Sequence, residues 1–184
     1  ILSMNQANKD ILFLDPVCTH NIWGGTKLRE EFGYPVEGDD IGECWGISAH
    51  PNVDGSIRNG VYAGMKLSKV WEEHPEVFGN LAYDRFPLLT KIIDAKADLS
   101  IQVHPDDAYA KEHENGSFGK TECWYIMDAP ENATLVIGHN AKTKEELASM
   151  IHEGRWSEFI REIPVKKGDF IQIDPGTVHA IKGG

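Results

Sequence analysis

Gly168-Asp-Phe-Ile-Gln-Ile-Asp-Pro-Gly-Thr-Val-His179 is the stretch whose reading decides the fold. Phe170 to Ile173 is short, apolar and bounded by turn residues, which reads as a strand. Pro175-Gly176 follows at once. Proline fixes φ and glycine accepts the positive φ that the third position of a type II turn demands. The turn then delivers His179 to the start of another strand.

Working outward, the same kind of segment recurs. Ile11 to Leu14, Leu88 to Ile93, Leu99 to Val103, Cys123 to Met127 and Thr134 to Ile137 are short apolar runs between turn residues. Their number favours a sandwich or barrel. Helices are few and inserted between strands. Thr143 to Glu146 forms a T-x-x-E capping box ahead of Leu147, Met150 and Ile151, with Gly154 as a stop. Arg155 to Glu162 predicts a second helical segment before Pro164, so a helical insertion is expected over about 140–163. Asp106 or Asp107 predicts a cap for a short helix ending near Gly116, and Ser68 to Glu73 another, halted by Pro75. The pattern is a mainly β domain spanning 1–184, not an alternation of strands and helices.

Two further pieces carry chemistry. In Asp98-Leu-Ser-Ile-Gln-Val-His-Pro105, a period of two puts Leu99, Ile101 and Val103 on one face and Ser100, Gln102 and His104 on the other. Gln102 and His104, two apart, can reach one metal ion. In Gly119-Lys-Thr-Glu-Cys-Trp-Tyr125, Glu122 leads into a strand where Trp124 and Ile126 share a face. Gln102, His104, Glu122 and His179 together offer two nitrogens, a carboxylate and an amide oxygen. That set suits Zn²⁺ with positions open to water or substrate, and Fe²⁺ would accept two His and one carboxylate equally.

The 184 residues suffice for one substantial core, and a 41% hydrophobic, 26% charged composition is that of a globular chain. A net charge of −11 argues against nucleic acid and against an anionic membrane surface as partners. No run approaches the roughly 18 apolar residues of a membrane span. Ile1 to Asp10 lacks the basic segment and apolar core of a secretion signal. Cys18, Cys44 and Cys123 form no C-x-x-C pair and read as reduced thiols of a cytoplasmic protein. His20, His50, His74, His113, His139 and His152 read as ordinary histidines.

Gly168, Gly176 and His179 resemble the second cupin motif in their spacing, with Pro175 one place later than usual. The whole set resembles the type I mannose-6-phosphate isomerases, in the shorter bacterial form. Asn21-Ile-Trp-Gly-Gly25, Gly42-Glu-Cys-Trp-Gly-Ile-Ser48, Pro87-Leu-Leu-Thr-Lys-Ile-Ile93, Leu99 to Asp106, Gly119 to Trp124 and Pro175 to Ala180 carry the resemblance. It implies a cupin-type jelly-roll β-barrel with short helical insertions, incomplete at the C-terminus. It implies one Zn²⁺ per chain on Gln102, His104, Glu122 and His179. It places Ser100, Lys120 and Lys91 in the substrate pocket, the first two against phosphate, with Trp23 and Glu43 lining it. It implies interconversion of mannose 6-phosphate and fructose 6-phosphate through a cis-enediol, with a small-molecule sugar phosphate as the partner.

The catalytic base is not identified by the sequence, and an arginine of the family lies beyond Gly184. Because Val178 to Ile181 reads as the beginning of a strand, the remainder of the barrel is expected after residue 184. A non-catalytic cupin that binds a sugar phosphate and metal is the alternative. An iron-dependent oxygenase would ordinarily carry H-x-H where Gln102 and His104 stand.

Overall fold

The computed structural model of the protein describes residues 11–184; the reading of Ile1 to Asp10 lies outside the described residues. The chain divides into two compact units, the first reaching Asp94 and the second running Ala95–Gly184.

The first unit is built on a three-stranded antiparallel sheet, β2 (Val17–Gly25), β3 (Ile41–Ile47) and β7 (Thr90–Ile93), with β3 in the centre. Alternate residues of β3 face opposite ways. Cys44 turns inward to a core with Leu28 of α1 (Lys27–Glu30) and Ile41, while Glu43 and Trp45 remain partly exposed. Strand pairs β1 (Leu14–Asp15) with β6 (Ser56–Ile57) and β4 (Ala49–His50) with β5 (Val53–Asp54) frame a second core. There Ile57 and Tyr62 meet Leu67 and Val70 of α2 (Leu67–Glu73). This is the helix expected over Ser68 to Glu73.

The second unit contains β8 (Glu122–Tyr125) paired with β11 (Phe170–Ile173), and a sheet of order β10 (Ile160–Pro164), β9 (Thr134–His139), β12 (His179–Ala180). Its buried side chains include Leu135, Val136, Met150, Phe159, Ile173 and Ala180. The capping signals hold. Asp106 accepts the Tyr109 N–H at 2.8 Å to open α3 (Asp107–His113), and Thr143 accepts that of Glu146 at 3.1 Å to open α4 (Lys144–His152). The Glu146 carboxylate accepts from Lys142 N, one residue ahead of the position a strict capping box would give.

Two expectations are corrected. The helical segment after Gly154 is a single turn, α5 (Trp156–Phe159), and Ile160–Pro164 is strand, because it pairs with β9. Pro164 is tolerated there since β10 is the edge of its sheet. Leu99 to Val103 forms no continuous strand. Leu99 N bonds Ile181 O at 2.9 Å and Gln102 exchanges both backbone bonds with His179 at 2.9 Å. The four residues Leu99 to Gln102 thus answer the three from His179 to Ile181, and the ladder reduces to one bridge. Ile101 and Val103 are accordingly exposed, not packed inward.

Candidate metal centre

The anticipated turn is present. Thr177 N bonds Asp174 O at 3.2 Å, and Gly176 takes a φ of +79°, as a type II turn requires. Two backbone bonds then tie the neighbouring segments to this turn. Gly176 N donates to His104 O at 2.8 Å, and Lys120 N donates to Pro105 O at 3.0 Å. Gly119 allows the second approach, for a Cβ there would lie 2.4 Å from the Asp106 carbonyl carbon and the Asp107 nitrogen. Glu122 opens β8 opposite the buried Ile173, the residue that leads into the turn. Segments distant in sequence are therefore fixed to one another by main-chain contacts before any ion is considered.

His104, Glu122 and His179 converge, each offering a ligand atom within 4.8 Å of the others. His179 Nε2 lies 3.1 Å and His104 Nε2 3.4 Å from the same carboxylate oxygen, Glu122 Oε2. Donors bound to one ion at about 2.0–2.2 Å stand roughly 3–3.5 Å from one another. His179 is buried, and its Nε2 makes no hydrogen bond despite that proximity, so ring and carboxylate are directed at a shared point and not at each other. A buried polar atom without a partner calls for an explanation, and a cation supplies one here. His179 Nδ1 donates to the Thr177 carbonyl at 2.8 Å, which leaves the Nε2 lone pair for the ion. Trp124, on the face it shares with Glu122, stands edge-on to the His179 ring at 5.7 Å.

The electrostatics agree with a cation site. Burial raises the Glu122 carboxyl, but His179 beside it and the Lys120 ammonium at 2.8 Å outweigh this and bring its pKa to about 2. Burial and the charge of Lys120 lower His104, keeping it a neutral donor. At His179 burial also opposes charge, but the Glu122 carboxylate and the Thr177 carbonyl prevail, so proton and metal compete for Nε2. Lys120 Nζ also stands 3.3 Å from His104 Nε2, so in this arrangement an ammonium serves as the carboxylate's counter-ion.

The remaining sequence candidates fall as follows. Gln102 pairs directly with His179 across the bridge, and directly opposed residues project their side chains to one face. Ser100 is exposed two residues before it. Trp23, Glu43 and Lys91 belong to the first unit. Lys91 Nζ binds both Glu43 oxygens at 3.0 and 3.1 Å, and Trp23 packs its ring over the Cα of Gly42. Sequence reading missed Trp45, whose Nε1 donates to Glu43 at 2.8 Å and whose ring lies 3.8 Å beneath Lys91 Nζ. Its position two residues after Glu43 on a strand was the available signal. It also missed the Thr177 carbonyl, which no residue type announces. Among the other histidines, His20 meets Asp40 at 2.6 Å and His113 stacks on Tyr109.

Residues 11–148 match the family described as phosphomannose isomerase type I, catalytic domain. The chain is 54% identical over 173 residues to mannose-6-phosphate isomerase ManA of Bacillus subtilis (strain 168), covering 94% of this chain and 55% of that protein. It is 53% identical to the mannose-6-phosphate isomerase of Streptococcus mutans serotype c, covering 94% and 54%. The crystal structure of the mannose 6-phosphate isomerase from B. subtilis superposes with a TM-score of 0.92 at 53% identity, over 94% of this chain and 55% of that one. The chain thus spans about half the length of the relatives it matches. The fold is mainly β with short helices, of the cupin type, and none of its described sheets closes into a barrel. With that fold, the His104–Glu122–His179 cluster and a match running over most of its length, the chain belongs to the type I phosphomannose isomerases.

Proposed function

We propose that this chain supplies the metal-holding part of an aldose–ketose isomerase interconverting mannose 6-phosphate and fructose 6-phosphate. The observation that carries this reading is the buried, unpartnered His179 Nε2, aimed with Glu122 and His104 at one point. One Zn²⁺ per chain would be held by His104, Glu122 and His179, with Gln102 as the fourth ligand. When bound, the ion would supply Lewis acidity to an aldose–ketose conversion that passes through a cis-enediol.

The chain's own residues do the rest of what can be assigned to them. His179 is locked by Thr177 in the tautomer that leaves Nε2 free. Trp124 walls the ring and restricts water. Lys120, nearly half exposed, would offer its ammonium to a phosphate dianion. In a chain with 29 acidic and 18 basic residues, such a local cation is what a phosphorylated substrate needs. Ser100, on the exposed stretch beside the ligands, adds a hydroxyl to that contact. Lys91, neutralised by Glu43, is assigned with Glu43 and Trp23 to the sugar hydroxyls on the family resemblance alone.

The test is fructose 6-phosphate formation from mannose 6-phosphate by the longest natural form of this chain, with and without chelator. Turnover abolished by chelation and restored by zinc supports the reading. A zinc-loaded, complete protein without turnover would replace it with a cupin that binds a sugar phosphate and does not transform it.

A further inference from the structure

Cys18 and Cys44, unrelated in sequence, are directly opposed across β2 and β3. Opposed residues of an antiparallel pair have Cα atoms about 4.5–5.5 Å apart, within the span of about 4.4–6.8 Å that a disulfide bridges. Both thiols are free, and the Cys18 side chain is near enough to perturb the Cys44 thiol. Tyr34 packs against the cluster that holds Cys44. Cys44 is buried in the cluster with Leu28 and Ile41, whereas Cys18 packs at its margin and is partly exposed.

We propose that Cys18 and Cys44 form a redox-modification site that hydrogen peroxide converts to a reversible cross-strand disulfide. The partly exposed Cys18 reacts first. Its thiolate attacks one peroxide oxygen, the O–O bond breaks, and the departing hydroxide takes up the thiol's proton as water, leaving a sulfenic acid. The Cys44 sulfur then attacks the Cys18 sulfur. The S–O bond breaks, and hydroxide leaves with the Cys44 proton as a second water. Two thiols thereby lose two electrons and two protons, and one peroxide is reduced to two waters. Burial, and after it the neighbouring Cys18 thiol, pushes the Cys44 thiol up to about 11, which accounts for this order of reaction.

The cross-link would sit on the face of β3 opposite Glu43 and Trp45, at a regular pair just before the register shift between Thr19 and His20. It would therefore fasten the strand that carries the Glu43–Trp45–Lys91 contacts. The inference stands whether or not the isomerase reading does.

The exposed Cys123 offers a competing thiol, so the test uses the Cys123→Ser chain exposed to stoichiometric peroxide. Intact mass should fall by about 2 Da, the two hydrogens of a disulfide, without dimer formation, and recover with dithiothreitol. Peptide mapping should recover Cys18 and Cys44 in one linked species. Adding Cys18→Ser, a change at the margin of the core, should abolish the loss. Thiols that stay unreacted, oxygen adducts without that mass loss, or cross-links only between chains would each overturn the proposal.

Discussion

Replacing Glu122 by glutamine keeps the side chain's shape and removes its charge, which isolates what the carboxylate does for the metal-free chain. Its pKa falls from the ordinary 4.5 to about 2. At about 1.4 kcal/mol per unit that corresponds to roughly 3 kcal/mol of stability. The partner ammonium of Lys120 is 45% exposed, so solvent screening brings the expected figure nearer 2 kcal/mol. Because the folded pKa is depressed, this stability is fully present above the unfolded value and is lost as pH falls toward 2. With a urea m-value of about 2 kcal/mol/M, Glu122→Gln should lower the midpoint by roughly 1 M near neutral pH in the presence of chelator. The gap should narrow between about pH 5 and about pH 3. A variant as stable as the parent at neutral pH, or a gap indifferent to pH, would refute the claim that these charges are preorganised around Glu122.

Other expectations follow from the same contacts. Lys120→Met in the longest natural form should raise the KM for mannose 6-phosphate by about 10-fold or more through loss of a charge-assisted phosphate contact, while zinc content measured by metal analysis stays unchanged. Gly119→Ala places a methyl 2.4 Å from the backbone of Asp106 and Asp107. It should destabilise by about 1–3 kcal/mol in urea unfolding, the range for overpacking. Phe159→Ala, at a fully buried position, should cost about 3–5 kcal/mol in the same assay.

The sequence discloses most where structure is decided locally. The strand Phe170–Ile173 and the turn at Pro175-Gly176 appear as read, because turn chemistry is a property of adjacent residues. Asp106 and Thr143 cap the helices expected of them for the same reason. Where tertiary pairing intervenes, the reading weakens. Leu99 to Val103 has strand periodicity, but a mismatch of register against the residues around His179 leaves only one bridge. Arg155 to Glu162 reads as a helical segment before Pro164, but its end, from Ile160, is captured by β9. Similarly, Cys18 and Cys44 look unrelated until β2 and β3 pair, since register between distant strands is not written in either strand alone. The His104, Glu122 and His179 cluster is legible as residues, whereas the Thr177 carbonyl that fixes the His179 tautomer is backbone and leaves no trace in residue type.

The central claim is that His104, Glu122 and His179 hold one metal ion, and calorimetric titration of the metal-free chain with zinc tests it most directly. The chain should bind one equivalent, with binding abolished by His179→Ala and unchanged by His152→Ala, at an exposed position of α4. No binding by the parent chain, or equal affinity in the His179→Ala variant, would contradict the account.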